Sequence, residues 1–172
     1  MTATVRAATG DDAPLLAPIE LEAGQRFREV EGLAFVADHD PGFPAAVIAA
    51  ALADGRLWVA DVDGEVVGYL LALDLDGQPH LEQVSVRPGH SGVGIGRALI
   101  ETAVAWAAER AVSLTLSTFR EVPWNAPLYE HLGFVPIPEA EVVADPRLVA
   151  LRDDEAELGL DPATRVFMRR PV

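Results

Sequence analysis

The sequence predicts a mixed α/β fold built around one sheet, on three observations. Apolar residues recur with period two in some segments and near 3.6 in others, so strands and helices alternate along the chain. Two strand-like runs, 57–62 and 65–75, are separated only by Asp63-Gly64, a dipeptide suited to a two-residue hairpin turn. The 172 residues, half of them hydrophobic, suffice for one sizeable core and are few for two ordinary domains, so a single domain over 1–172 is expected.

The elements follow in order. Thr4 to Ala7 reads as a short strand, and 10–27 as a first helix, with acidic residues, a proline, and then Leu15, Leu16, Ile19 and Phe27 at helical spacing. Residues 44–54 form a second helix closed by Gly55. After the hairpin, a turn over Asp76-Gly77-Gln78-Pro79 leads into 80–86. This run alternates, with His80, Glu82, Val84 and Val86 on one face and Leu81, Gln83 and Ser85 on the other, giving a strand with a polar opening. A helix over 95–111 lines up Ile95, Leu99, Ala103 and Trp106 on one side. A strand over 112–118 follows, then a short helix within 123–134 capped by Asn125 and ended by Gly133, a helix over 145–158, and a last strand over 165–170. Trp58 and Trp106 are assigned to the core, His131 to the surface, and Asp153-Asp154-Glu155 to a solvated helix face.

Composition narrows the chemistry. A formal charge of −14 repels phosphate backbones and anionic lipid, so neither nucleic acid nor membrane is expected as a partner. No run approaches the roughly 18 apolar residues of a membrane span, and the start MTATVRAATGDDAPLL lacks the basic head and apolar run of a signal peptide, so a cytoplasmic location is expected. Without cysteine there is no disulfide, thiolate metal site or thiol nucleophile, and the four histidines are scattered, so no metal is expected. All 13 basic residues are arginine, which removes the Walker lysine and Schiff-base chemistry.

One segment carries chemistry. After strand 80–86, the turn Gly92-Val93-Gly94-Ile95-Gly96-Arg97 opens a helix, placing main-chain donors without intrahelical acceptors at the positive end of its dipole. Such a turn suits a diphosphate, and it also suits a plain tight connection. The GxGxxG dinucleotide fingerprint does not fit, because Arg97 and Leu99 stand where its third glycine belongs.

With Val86-Arg87-Pro88 ahead of Ser91-Gly92-Val93-Gly94-Ile95-Gly96, and NAPLYEHLGF about thirty residues later, the chain resembles the GNAT superfamily of acyl-CoA N-acyltransferases. That resemblance implies the GNAT fold: a mostly antiparallel mixed sheet of six to seven strands flanked by helices and splayed at the acetyl-CoA-binding strand. It also implies transfer of an acetyl group from acetyl-CoA to a primary amine of a small molecule or peptide. By the same resemblance, the main chain of Ser91, Gly92, Val93, Gly94, Ile95, Gly96 and Arg97 holds the coenzyme diphosphate. Val84, Ser85 and Val86 pair with its pantetheine arm, and Asn125 contacts it. Tyr129 is the acid that protonates the departing sulfur. Glu82 is the first choice for the base, with His80 as runner-up or relay. One departure is Ser91, where the family has Arg or Gln. A non-catalytic acyl-CoA-binding module is the alternative, and the oligomeric state is left open, a homodimer included.

Overall fold

A computed structural model describes residues 2–172. Seven strands form one sheet in the order β1-β2-β3-β4-β5-β7-β6, with β1 Thr4–Ala7, β2 Leu57–Val62, β3 Glu65–Leu75, β4 Gln78–Val86, β5 Leu114–Phe119, β6 Val135–Pro136 and β7 Arg165–Arg170. Seven α-helices accompany them among the described residues: α1 Ala13–Gly24, α2 Ala34–Ala37, α3 Ala45–Ala53, α4 Ile95–Ala108, α5 Ala126–His131, α6 Glu139–Ala144 and α7 Pro146–Glu157. Contacts divide the chain into two compact units, residues up to 73 with 81–106, and 74–80 with 107–172.

In the first unit, β1 and β3 flank β2 in antiparallel register, with Thr4 opposite Asp61 and Val59 opposite Tyr69. The hairpin turns on Asp63 (φ 54°) and Gly64 (φ 87°), both left-handed as a two-residue primed turn requires. Leu16 and Ile19, one turn apart on α1, bury against Ala51 of α3 and the inward residues Leu57, Val59, Tyr69 and Leu71. On α4 the stripe Ile95, Leu99, Ala103 and Trp106 is buried as its spacing predicts, and Trp106 meets Trp58 edge to face with ring centroids 5.8 Å apart. Strands β3 and β4 approach closely at Gly68, where a Cβ would lie 2.9 Å from the Ser85 carbonyl oxygen.

In the second unit, β7 pairs antiparallel with β5 (Phe119 opposite Arg165) and with the two-residue β6. Helices α6 and α7 intervene between β6 and β7, and Ile137, Val142, Leu148 and Phe167 form their shared core. Asp145 caps α7 by accepting the Arg147 amide at 3.0 Å.

The structure departs from the sequence reading in several places. The expected 10–27 helix is a 3-10 turn, then α1, then a second 3-10 segment. Strand β4 begins at Gln78, because Asp76 (φ 51°) and Gly77 (φ 85°) alone make the turn. The expected 145–158 helix is α7, and α6 precedes it. The opening of β4 is not the polar one expected: Pro79, His80 and Leu81 are all buried.

Candidate active site

The first unit supplies the glycine turn. Strand β4 is followed by a 3-10 turn, Pro88–His90, whose form is held by the amides of His90 and Ser91 donating to the carbonyls of Arg87 and Pro88 at 2.9 and 3.2 Å. The Arg87 amide anchors the exit of β4 on the Val67 carbonyl at 2.8 Å, and its guanidinium ion-pairs with Glu22 of α1. Ser91 turns its hydroxyl back onto the Arg87 carbonyl at 3.3 Å, a short internal brace at the place where the resemblance leads one to expect a long side chain. Gly92 (φ 78°) and Gly94 (φ 93°) are left-handed, a conformation costly to any residue with a Cβ.

The consequence is a row of idle donors. Among the described residues, the amides from Gly92 to Arg97 reach no protein acceptor, the first amide of α4 to find one being Ala98, on the Gly94 carbonyl at 3.0 Å. Residues 91–94 are exposed, and a Cβ built at Gly92 or Gly94 meets nothing within 4 Å, so the turn faces open space that an anionic group can enter.

Beside the turn, β4 and β3 carry a polar group of long-range origin. Tyr69, fully buried, donates to Glu20 at 2.7 Å, and Glu20 also accepts from the Gly42 amide at 3.1 Å. Gln83 donates to the buried Ser85 hydroxyl at 2.8 Å. Burial first, then the Glu20 carboxylate, push the Tyr69 phenol far up, with the field of Glu82 adding to the effect. Glu82 itself is exposed on β4.

The second unit holds the remaining candidates. Helix α5 follows β5 and ends at Gly133 (φ 83°), whose left-handed turn returns the chain to Phe134. Tyr129 is buried on it and packs edge to face on Phe134, centroids 5.4 Å apart. Burial raises its phenol well above the usual range, and the charge of Arg165 partly opposes that. Asn125 occupies the N-cap position, but its side chain caps nothing. Its carbonyl accepts from the Tyr129 amide at 3.1 Å, and Oδ1 is buried without a protein partner.

His80 differs most from expectation. It is 2% exposed, and Nδ1 lies 2.9 Å from Thr115 Oγ1. Because that hydroxyl donates to the Pro79 carbonyl at 3.2 Å, it accepts from the imidazole, which puts the neutral ring's proton on Nδ1. Burial, reinforced by Arg165, pushes the imidazole down to about 3, so the ring is neutral at physiological pH and a weak base.

Arg165 itself is a residue that sequence reading passed over. It takes Glu155 in a two-pronged ion pair (2.7 and 3.2 Å), donates to Ser117 at 3.3 Å, and stacks 4.6 Å over the Phe119 ring. Glu155 is thus no part of a solvated face. Acidic and basic residues 10 apart on α7 and β7 leave no periodic signal, so only the folded chain reveals the pair.

A family model described as an acetyltransferase (GNAT) domain matches residues 53–136, a span that takes in the glycine turn, β4 and the α5 segment. Residues 53–136 thus match a GNAT acetyltransferase domain. Among curated proteins, the chain is 35% identical over 83 residues to a probable N-acetyltransferase, camello, of Xenopus tropicalis, covering 45% of this chain and 37% of that protein. The fold is similar to that of the PaiA N-acetyltransferase of Thermoplasma acidophilum, solved in complex with coenzyme A (TM-score 0.68, 11% identity, all of both chains covered). It is also similar to the ribosomal-protein-S18-alanine N-acetyltransferase of Escherichia coli (TM-score 0.63, 18% identity, 99% and 94% covered). The sheet flanked by helices is therefore the GNAT fold. Among the described residues no cluster of His, Asp or Glu suited to a metal ion is found, and no helix is long and apolar enough to cross a membrane.

Proposed function

We propose that the chain is a single-domain acetyl-CoA-dependent N-acetyltransferase acting on a primary amine of a small molecule or peptide. The observation that carries this reading is the run of acceptorless amides from Gly92 to Arg97 at the start of α4, a diphosphate-sized set of donors backed by a helix dipole. Bound acetyl-CoA supplies an acetyl group activated as a thioester. Of the expected run from Ser91, the amides of Gly92 to Arg97 hold its diphosphate, the Ser91 amide being spent on the Pro88 carbonyl, and Val84, Ser85 and Val86 offer their backbone to the pantetheine arm. Asn125 Oδ1, which lacks a partner inside the protein, supports a coenzyme contact there.

The protein's own groups then manage protons. An amine attacks only as the free base, so a base must take the ammonium proton, and the exposed carboxylate of Glu82 is the first choice for it. His80, held neutral and weakly basic, is better suited to orienting Thr115 and the start of β4 than to that task. Tyr129 Oη gives its proton to the departing sulfur. Its dry surroundings keep the phenol protonated at neutral pH and likewise raise the proton affinity of a nascent thiolate. Arg165 eases the transfer by stabilising the phenolate.

Two measurements test this. Calorimetry is expected to register coenzyme A binding, and thiol release from acetyl-CoA is expected to accelerate with at least one class in a panel of amino acids, peptides, polyamines and aminoglycosides. Coenzyme binding with no acceptor-dependent release across the panel would instead identify a binding module.

A further inference from the structure

Within the second unit lies a cavity of about 400 Å³ for which the proton-transfer scheme has no use. Its wall combines three guanidiniums, Arg120, Arg152 and Arg165, with two carboxylates, Glu139 and Glu155, and an apolar side that includes Phe167. Both carboxylates are committed. Glu139 takes two nitrogens of Arg152 at 2.7 and 2.9 Å, and Glu155 takes Arg165 as described. Arg120 ion-pairs with no carboxylate among the described residues. Its Nη2 donates to the Arg165 carbonyl at 3.0 Å, which fixes the fork while leaving its other nitrogens without a protein acceptor.

The wall itself carries three positive groups against two negative ones, an excess of one positive charge, with Asp153 beyond the wall also acting on Arg152, in a chain whose formal charge is −14. A concave surface of opposite sign to its surroundings attracts an anion, and a guanidinium fork matches a planar carboxylate in geometry. A single positive charge balances a monoanion, whereas a phosphate dianion would leave net charge in the cavity. The cavity also adjoins the candidate acid of the same unit, since the charge of Arg165 in its wall acts on the Tyr129 phenol. Arg165 in its wall donates to Ser117, and Ser117 shares a face of β5 with Thr115, the partner of His80.

We propose that this cavity binds the carboxylate of the acetyl acceptor, with Arg120 as its ion-pair partner, so that the acceptor is an amino acid or a peptide bearing a free carboxylate. The inference rests on the acetyl-transfer reading and narrows its substrate class. A polyamine or an aminoglycoside has no group to place there. A volume near 400 Å³ accommodates a ligand of amino-acid to dipeptide size.

The test needs no turnover, so it can fail separately from the coenzyme titration. N-Acetylleucine, N-acetylleucinamide and inorganic phosphate are titrated into the whole protein while the arginine Nε–Hε resonances are followed by NMR. N-Acetylleucine is expected to shift Arg120 and Arg165, with the amide silent at the same concentrations. Arg120→Gln is expected to weaken the carboxylate about ten- to hundredfold, the range for losing one charged hydrogen-bonding partner. Because Arg120 is exposed, this variant keeps the fold, and Arg152→Gln provides a second probe of the same wall. Equal binding of acid and amide, no shift at Arg120 with the acid, or tighter binding of phosphate than of the carboxylate would each overturn the proposal, whether or not coenzyme A binds.

Discussion

Replacing Tyr129 with Phe removes one oxygen and leaves the ring, so it separates chemistry from packing. The ring is buried and rests edge to face on Phe134, and both features survive the change, so the thermal midpoint should move by no more than about 2 °C. If the phenol protonates the departing sulfur, kcat should fall by about 10²- to 10⁴-fold, the usual worth of a positioned general acid. That corresponds to about 3–5 kcal/mol of transition-state stabilisation. KM for acetyl-CoA should hardly change, because the diphosphate contacts are main-chain and elsewhere. The assay is steady-state thiol release with the best acceptor found, run with calorimetry to confirm coenzyme binding by the variant. The wild-type rate should also persist to high pH: the acid form is the active one, activity is lost as pH rises through its pKa, and burial holds that pKa above the usual phenol value. A kcat within threefold of wild type, with binding intact, would remove Tyr129 from the acid role.

Other expectations are narrower. Glu82→Gln should lower the rate most at low pH and recover partly as pH rises, since the free amine then forms without a base; an unchanged pH–rate profile would transfer the role to His80 or water. Asp12 is hydrogen-bonded by Arg6 at 2.8 and 3.0 Å, which holds its carboxyl down to about 2. A depressed carboxylate contributes stability above its unfolded value of 3.8 that is lost as pH falls toward 2, so Asp12→Asn should cost at most about 2 kcal/mol at pH 7 and progressively less on acidification. Parallel urea titrations at pH 7 and pH 3 that gave the same difference would contradict this. Gly68→Ala drives a methyl to 2.9 Å from the Ser85 oxygen and 3.2 Å from Val86 Cγ2, so β3 and β4 must separate. A loss of about 1–3 kcal/mol is expected, and an unchanged urea midpoint would contradict the close approach.

Features encoded within a few residues were legible in the sequence. Asp63-Gly64 required left-handed backbone and has it, the α4 stripe is buried, and Gly133 ends α5 through a left-handed turn. What escaped depends on contacts distant in sequence or on elements too short to show a period. Strand β6 is two residues long and contains a proline, and α6 has Pro138 at its N-cap position and so no side-chain cap, so neither announces itself. Alternation placed His80 on a face of β4 but could not tell how deeply that face is covered, and coverage is what turns a plausible base into a neutral, hydrogen-bonded ring. Asn125 looked like a cap because caps are what asparagines before a helix usually provide, yet its oxygen is left over for another partner. Tyr69 with Glu20 and Arg165 with Glu155 join residues 49 and 10 apart, beyond what spacing rules reach.

The most direct test is an amide NMR titration of the uniformly labelled protein with coenzyme A. The largest shift changes are expected at Gly92, Val93, Gly94, Ile95, Gly96 and Arg97, whose N–H groups acquire the acceptor they lack. Saturable binding that left those six amides unmoved, or no binding at all, would contradict the reading of this turn as a diphosphate cradle.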